Sequence, residues 1–390
     1  MNTEHLQWIE LDRAALSHNL KQFRALVGPE RKVLAMVKAN AYGHGMSQVA
    51  ALALAEGADW LGVHSLEEGI SLSDQGIRTP ILISGYVALS DLEEAVVHGL
   101  RLTVYNPETI ERLGRLCQDR RLQAYVHIKL ETGTHRQGVD PGKLGAMIEQ
   151  LRLYPGIVLE GISSHFADIE DTTDHTYARR QLDSFNHALA ELEKQDLRVP
   201  IRHMSCTAAA ILLPETHFDM LRVGIGLYGM WPSKETYVSC LQQDREPLEL
   251  KPALAWKARI AQVKSIPQGA FVGYGRSFRA TRATRLAVIP IGYSDGYPRH
   301  LSNIAHVLIE GQRAPLRGRV AMNFITADIT DIPAAGLEDP VVLIGRSQAD
   351  QVTADMLASW AGTINYEIVA RLSPNIPRIV RESEAADLII

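Results

Sequence analysis

One lysine stands where an amine can do chemistry. In Val33-Leu-Ala-Met-Val-Lys-Ala-Asn-Ala-Tyr-Gly-His-Gly45, five apolar residues run into Lys38, and small or turn-forming residues follow it. The run fits a strand buried on both faces, and the Ala, Asn and Gly residues break it before a helical pattern begins. An ammonium group desolvated at such a corner loses proton affinity, so Lys38 is a candidate amine nucleophile or Schiff-base former. A lysine that closes a strand and lets its head group snorkel to water leaves the same trace. Arg136, His165, His203 and Arg222 also fall just behind apolar runs. Taken singly, each is more often a structural residue, a capping histidine or a salt-bridged arginine.

These positions form one site only if the strand ends converge. Trp8–Leu11 reads as a short strand, and Arg13–Leu26 as a helix that Asp12 can cap. After the Lys38 strand come predicted strands at Trp60–Val63, Pro80–Ser84, Leu102–Val104, Ala124–Lys129, Val158–Ser163, Ile201–Met204 and Met220–Val223. Helical patterns lie between them around Met46–Ala55, Leu66–Gln75, Leu89–His98, Pro107–Arg120, Lys143–Leu153, Tyr177–Gln195 and Ala208–Leu213. Such alternation implies α/β architecture with a parallel sheet, and eight units fit a (β/α)₈ TIM barrel, with an open doubly wound sheet as the alternative. In a barrel the candidate residues would share one mouth. The pattern turns polar near Gln242-Gln-Asp-Arg-Glu-Pro247. Short apolar segments follow at Ala253–Val263, Leu286–Ile291, Ala305–Ile309, Arg319–Ile329 and Val341–Ile344, with one helix near Thr353–Trp360. They predict a small, mainly-β domain. The expected division is a strand in 1–12 that packs with the β domain, a barrel over 13–245 and the β domain over 246–390.

Composition narrows the function class. With 390 residues, 46% apolar and 22% charged, the chain is that of a globular protein with room for two domains. A formal charge of −5 gives no reason to expect nucleic acid or an anionic membrane as a partner. Cys117, Cys206 and Cys240 are odd in number and widely spaced, which argues against a disulfide framework or a CxxC metal site. Met1–Gln7 has neither the basic run nor the apolar core of a secretory signal, and no run reaches eighteen apolar residues, so a cytoplasmic protein is expected. Gly224-Ile-Gly-Leu-Tyr-Gly229 matches a dinucleotide fingerprint in letters only, since it follows the eighth strand rather than the first. His165, Asp168, Asp171, Asp174 and His175 lack the spacing of a metal site and read as a solvated acidic loop.

Val37-Lys-Ala-Asn-Ala-Tyr-Gly-His-Gly45 closely resembles the pyridoxal-phosphate lysine motif of the alanine racemase family, and the resemblance extends over nearly the whole chain. It implies pyridoxal 5'-phosphate held on Lys38, with Tyr42 on its phosphate. His127-Ile-Lys-Leu-Glu-Thr-Gly-Thr-His-Arg-Gln-Gly138 resembles the segment in which Lys129 would be carbamylated and bonded to Arg136, which touches the cofactor's phenolic oxygen. Ser163-Ser-His-Phe-Ala167 implies His165 against the pyridine ring. His203-Met-Ser-Cys-Thr-Ala-Ala209 implies a histidine bonded to the pyridine-facing arginine, and Thr207 on the phosphate. Phe218-Asp-Met-Leu-Arg-Val-Gly-Ile-Gly-Leu-Tyr-Gly229 implies Arg222 at the pyridine nitrogen, with Gly224 and Ile225 amides on the phosphate. In the second domain, Phe271-Val-Gly-Tyr-Gly-Arg-Ser-Phe278 places the family's second base at Tyr274. Tyr293, Met322 and Asn323, with Arg136, would meet the substrate, and Tyr366 is implied as a phosphate ligand and part of the substrate entrance.

By this resemblance the protein is a racemase interconverting L- and D-alanine through two bases, Lys38 on the D side and Tyr274 opposite. It would act as a homodimer with shared sites and supply D-alanine for peptidoglycan precursors. The sequence departs from the family pattern at Asn323, commonly Asp, at Cys206-Thr207, commonly Asn-Ser, and at Thr134-His-Arg136, commonly Met-Gly-Arg. A racemase of broader specificity, or one for serine or lysine, is the alternative. A related barrel-type decarboxylase and a non-catalytic pyridoxal-phosphate carrier are further ones. The decarboxylase's glycine-rich phosphate loop and Cys-containing motif are absent, and a carrier would be a barrel alone.

Overall fold

The structure is a computed structural model of the chain and describes residues 5–243 and 245–382. Residues 1–4 of the N-terminal segment and residue 244 of the polar stretch lie outside the described residues. Two compact units are present. One is Ala15–Ala39 with Ser47–Lys251; the other contains the described residues of Met1–Ala14, Asn40–Met46 and Pro252–Ile390. The short segment directly behind Lys38 therefore groups with the second unit, which no periodicity in the sequence announces.

After β1 (Gln7–Asp12), which belongs to the second unit, the chain lays down β2 (Lys32–Met36), β3 (Trp60–Val63), β4 (Ile81–Ile83), β5 (Arg101–Val104), β6 (Ala124–Lys129), β7 (Ile157–Ser163), β8 (Ile201–His203) and β9 (Met220–Val223). These eight form one sheet in the order β8-β7-β6-β5-β4-β3-β2-β9, with every pair parallel. Leu34, Leu61, Ile83, Val126 and Ile162 are fully buried, as expected of strands covered on both faces. The sheet closes between β8 and β9 through the Asp219 N–H on the Arg202 carbonyl (3.1 Å) and the Arg222 N–H on the Ser205 carbonyl (3.1 Å). The Arg202 guanidinium staples this seam by a two-point bond to the Asp219 carboxylate, at 2.8 and 3.2 Å.

Amphipathic helices fill the crossovers. In Pro107–Arg120 the proline opens the first turn, and Ile110, Leu113, Gly114 and Cys117 turn inward at helical spacing. One irregularity matters for the site. Val126 pairs with Leu159, but His127 pairs with Gly161, so Glu160 is an extra residue on β7: a β-bulge.

The second unit holds β10 (Leu254–Arg259), β11 (Gln262–Ile266), β12 (Phe271–Val272), β13 (Phe278–Arg279), β14 (Thr284–Ile289), β15 (His306–Ile309), β16 (Gln312–Pro315), β17 (Ile325–Asp328), β18 (Pro340–Ser347), β19 (Asp350–Val352) and β20 (Arg378–Arg381). Its main sheet runs β16-β15-β18-β10-β1-β20, with β19 beside β18; β11-β14-β17 and β12-β13 form two smaller sheets. The expected segment Ala253–Val263 is two strands in different sheets, because the chain bends between Arg259 and Gln262. Of Arg319–Ile329 only Ile325–Asp328 is strand, and the irregular part carries Met322 and Asn323.

Candidate active site

Lys38 follows β2, where the Val37 N–H still bonds the Gly62 carbonyl at 2.8 Å. The chain then winds the wrong way. Lys38–Tyr42 closes as one helical turn, yet φ is +52° at Ala39, Asn40 and Tyr42 and +53° at Ala41, so the turn is left-handed. For L residues other than glycine this costs about 1–2 kcal/mol each, and only asparagine among these four tolerates it well. Both ends of the turn are fastened. At its start the Ala39 N–H donates to Glu68 at 2.6 Å, and the same carboxylate accepts the His64 N–H at 2.8 Å while completing a capping box with Ser65. At its end the Asn40 carbonyl and Oδ1 accept the Gly45 and Met46 N–H groups, each at 2.9 Å, and Arg378 donates to the Gly43 carbonyl at 2.8 Å. Gly43 has φ +80°, and a Cβ there would stand 1.8 Å from the Val369 carbonyl oxygen, so only glycine fits.

The Lys38 amine lies among cations. Burial and the nearby Arg136 and Arg222 guanidinium groups lower its proton affinity, with Glu68 opposing. Lys129, at the end of β6, is pushed down to about 8 by burial and by Arg222, Arg136 and Lys38, against Glu131. Its amine donates to Gln137 Oε1 at 3.2 Å, and Gln137 Nε2 donates to the Tyr105 hydroxyl at 3.0 Å. Glu131 shapes the following loop by accepting the N–H groups of Gly133 (2.7 Å), Thr134 (2.6 Å) and Arg136 (3.2 Å). Glu68, Gln137 and Tyr105 were not among the residues expected from sequence, since glutamate at a helix start and glutamine in a loop carry no signal of their own.

Arg222, on β9, is held on almost every side. Nη1 donates to His203 Nδ1 (2.9 Å) and the His203 carbonyl (3.0 Å); Nη2 donates to the Ser164 and Met204 carbonyls (both 2.9 Å) and lies 3.3 Å from His165 Nδ1. Only Nε–H has no acceptor among the described residues. Burial lowers the guanidinium to about 10, still far above neutrality. Burial and then Arg222 hold His165 and His203 well below the ordinary imidazole range, so both rings are neutral. Behind His203 the chain of contacts continues: His203 Nε2 to His127 Nδ1 at 2.9 Å, and His127 Nε2 to Glu160 at 3.3 Å. The bulge aims Glu160 at His127, and Gly161 makes room, because a Cβ there would lie 2.2 Å from His127 Nδ1.

Beyond β9, Thr207 Oγ1 accepts the Gly224 N–H at 3.1 Å and that of Gly226 at 3.5 Å. The N–H of Ile225, first in the 3₁₀ turn Ile225–Tyr228, has no partner within that turn. The glycine-rich stretch is thus a short turn rather than the opening of a dinucleotide-binding helix. Among the described residues no group of three or more His, Cys, Asp or Glu side chains is placed to hold an ion. Asp174 instead accepts the Thr176 N–H at 3.0 Å, at the start of the helix Thr176–Lys194.

The second unit brings together other expected residues. The Tyr42 and Tyr366 rings lie 6.1 Å apart. Asn323 Nδ2 donates to the Ser294 hydroxyl at 2.9 Å, which donates to the Met322 carbonyl at 2.8 Å, tying Tyr293–Asp295 to the Met322 segment. Tyr274 follows Gly273, and both flanking glycines have φ +70°. It is 73% exposed.

A closed parallel barrel with a buried amine and an immobilised guanidinium gathered at the C-terminal ends of its strands has the arrangement in which barrel enzymes build their active sites. The chain belongs to the alanine racemase family and is an isomerase: the N-terminal domain of alanine racemase matches residues 11–232, and its C-terminal domain matches 253–380. An alanine racemase of Syntrophobacter fumaroxidans is 40% identical over 368 residues, which cover 94% of this chain and 96% of that protein. The solved structure of alanine racemase from Clostridium difficile 630 superposes with a TM-score of 0.91 at 31% identity, covering 98% of this chain and 97% of that one. That of Bacillus anthracis alanine racemase with bound L-Ala-P gives 0.90 at 30% identity, covering 98% and 96%.

Proposed function

We propose that this chain is a pyridoxal-phosphate-dependent racemase that interconverts L- and D-alanine, with Lys38 and Tyr274 as its two bases. The observation that carries it is the bonding of Arg222, which spends Nη1 and Nη2 on the barrel and leaves one N–H for a ligand acceptor. The barrel residues fit the cofactor: a lysine of lowered proton affinity suits its aldehyde, Arg222 Nε–H its ring nitrogen, and the Ile225 amide beside Thr207 its phosphate, while Tyr42, Tyr366 and the Gly224 amide are phosphate ligands by the family resemblance alone. Bound pyridoxal phosphate supplies an electron sink that acidifies the Cα–H of an amino acid.

The rest is work for the protein's own groups. Burial and the neighbouring guanidinium groups lower the proton affinity of Lys38, the direction a group that takes and returns a proton needs. Arg222 keeps its own proton, so an acceptor nitrogen held there is not protonated by it. Neutral His165 offers a ring face without adding charge. Lys129 titrates at about 8, and a carbamate on it would set an anion among Arg136, Arg222 and Lys38. Arg136, Tyr293, Met322 and Asn323 receive the substrate, and Tyr274 serves the second face. That tyrosine stands on an exposed segment, which supports a homodimer with shared sites. Cys117, Cys206 and Cys240 form no disulfide, in keeping with cytoplasmic action.

A second reading, a wider range that includes serine, rests on Asn323, whose amide is a donor where an aspartate would accept. Borohydride reduction of the loaded protein followed by peptide mapping should find the cofactor on Lys38, and L-alanine should lose optical rotation; a label on another lysine, or unchanged rotation, defeats the proposal.

A further inference from the structure

Four side chains run in series through the barrel: Arg222, His203, His127 and Glu160, linked at 2.9, 2.9 and 3.3 Å. The two ends differ in kind. A guanidinium can only donate, and an ionised carboxylate can only accept. Glu160 is held below the usual carboxylate range: burial alone would raise it, but the His127 bond and Arg101 outweigh that. Arg101 supports it directly, with Nε 3.3 Å from the same oxygen. Each neutral imidazole between the ends has one donor and one acceptor, so only one arrangement makes every bond. His203 must accept from Arg222 on Nδ1 and donate from Nε2; His127 must accept on Nδ1 and donate from Nε2 to Glu160.

We propose that Glu160, three side chains from the mouth of the barrel, is the positioning residue that fixes the orientation of Arg222. The bulge in β7 aims Glu160 at His127, and Gly161 leaves the room that His127 occupies. If the chain ended in a group able to donate as well as accept, the imidazoles could reverse together. His203 would then turn an N–H toward a guanidinium that needs an acceptor, and Arg222 would lose its fixed pose. The effect on turnover rests on the reading of Arg222 given above; the proton arrangement does not.

The test is a ¹⁵N-histidine spectrum of the full-length protein, with and without added pyridoxal phosphate. In the wild type, His127 and His203 should both carry their proton on Nε2 throughout the neutral range. Glu160→Gln, which presents an amide able to donate, should add a population protonated on Nδ1 and lower kcat on the order of tenfold with KM nearly unchanged, the usual sign of a displaced catalytic group. Glu160→Asp, still acceptor-only, should restore the single tautomer and most of the rate. Arg101→Gln, which leaves the carboxylate in place, should keep the wild-type tautomers and decides the matter if the glutamine variant does not fold. A wild-type His203 protonated on Nδ1, or a folded Glu160→Gln protein with unchanged tautomers and kcat, would overturn the proposal. Tautomers that shift as expected in a protein that racemises no amino acid would instead sink the functional reading and leave this one standing.

Discussion

In the barrel, Lys38, Lys129, His165, His203 and Arg222 are buried or half-buried, and their proton affinities all lie below the ordinary range. In the second unit, Tyr274, Tyr293, Met322 and Phe324 stand 73, 44, 56 and 49% exposed. The contrast separates two ways of making a site. Fixed dipoles and charges act strongly where water is excluded, and the barrel's own packing excludes it. Exposed aromatic and thioether side chains contribute that way only when something covers them, and a second copy of the chain is the cover that the proposed shared site requires.

Breaking either half should be nearly as damaging as breaking both. Lys38→Ala and Tyr274→Phe are each expected to lower racemisation about a thousandfold, since each removes one of two bases. Mixed after dissociation and reassociation, they should recover about a quarter of wild-type activity, because half the dimers are mixed and each holds one intact site. No recovery, with mixed dimers confirmed by native mass spectrometry, would place both bases on one chain and erase the contrast.

Glu68→Gln tests the barrel half more gently. It keeps one acceptor for the Ala39 or His64 N–H and removes the carboxylate that opposes the cations around Lys38. The pH at which Lys38 becomes reactive to acetic anhydride should fall, and racemisation should drop on the order of tenfold. An unmoved labelling profile would reduce Glu68 to a helix cap.

Lys129 gives a pH test of the same half. Its folded pKa of about 8 lies below the ordinary 10.5, so the folded state binds this proton less tightly than the unfolded one. Stability contributed by this group therefore rises with pH from about 8 upward, and the cost of the charged amine is fully present below that. The urea midpoint of Lys129→Met should exceed that of the wild type most at pH 7, with the gap narrowing toward pH 10. The smallest effect belongs to the exposed half: Asn323→Asp should change the ratio of alanine to serine turnover a few-fold while cofactor binding holds, because an aspartate would draw the Ser294 proton away from the Met322 carbonyl. An unaltered ratio would remove Asn323 from substrate choice.

The barrel was legible because strands buried on both faces read as unbroken apolar runs, and Trp60–Val63 and Ala124–Lys129 begin and end where the pattern places them. β20, Arg378-Ile-Val-Arg381, was not, since a short edge strand of mixed polarity shows no period. Nor was the helix Lys234–Gln242, which runs straight into the polar stretch. The family motif pointed to Lys38 and Arg222, but the carboxylates behind them were hidden for a physical reason. A bulge is a property of two strands in register, so nothing within β7 alone marks Glu160 as extra. Likewise nothing in Lys-Ala-Asn-Ala-Tyr, which lacks glycine, announces a change of hand.

That change of hand has a stereochemical corollary. Positive φ is the natural basin of D residues, so the stretch behind Lys38 is an all-L peptide folded as its mirror image would prefer. At Ala39, whose side chain is exposed, D-alanine introduced by chemical ligation would sit without the strain its L counterpart bears. The semisynthetic protein should unfold at a higher urea concentration than the natural one, by an amount equivalent to about 1 kcal/mol.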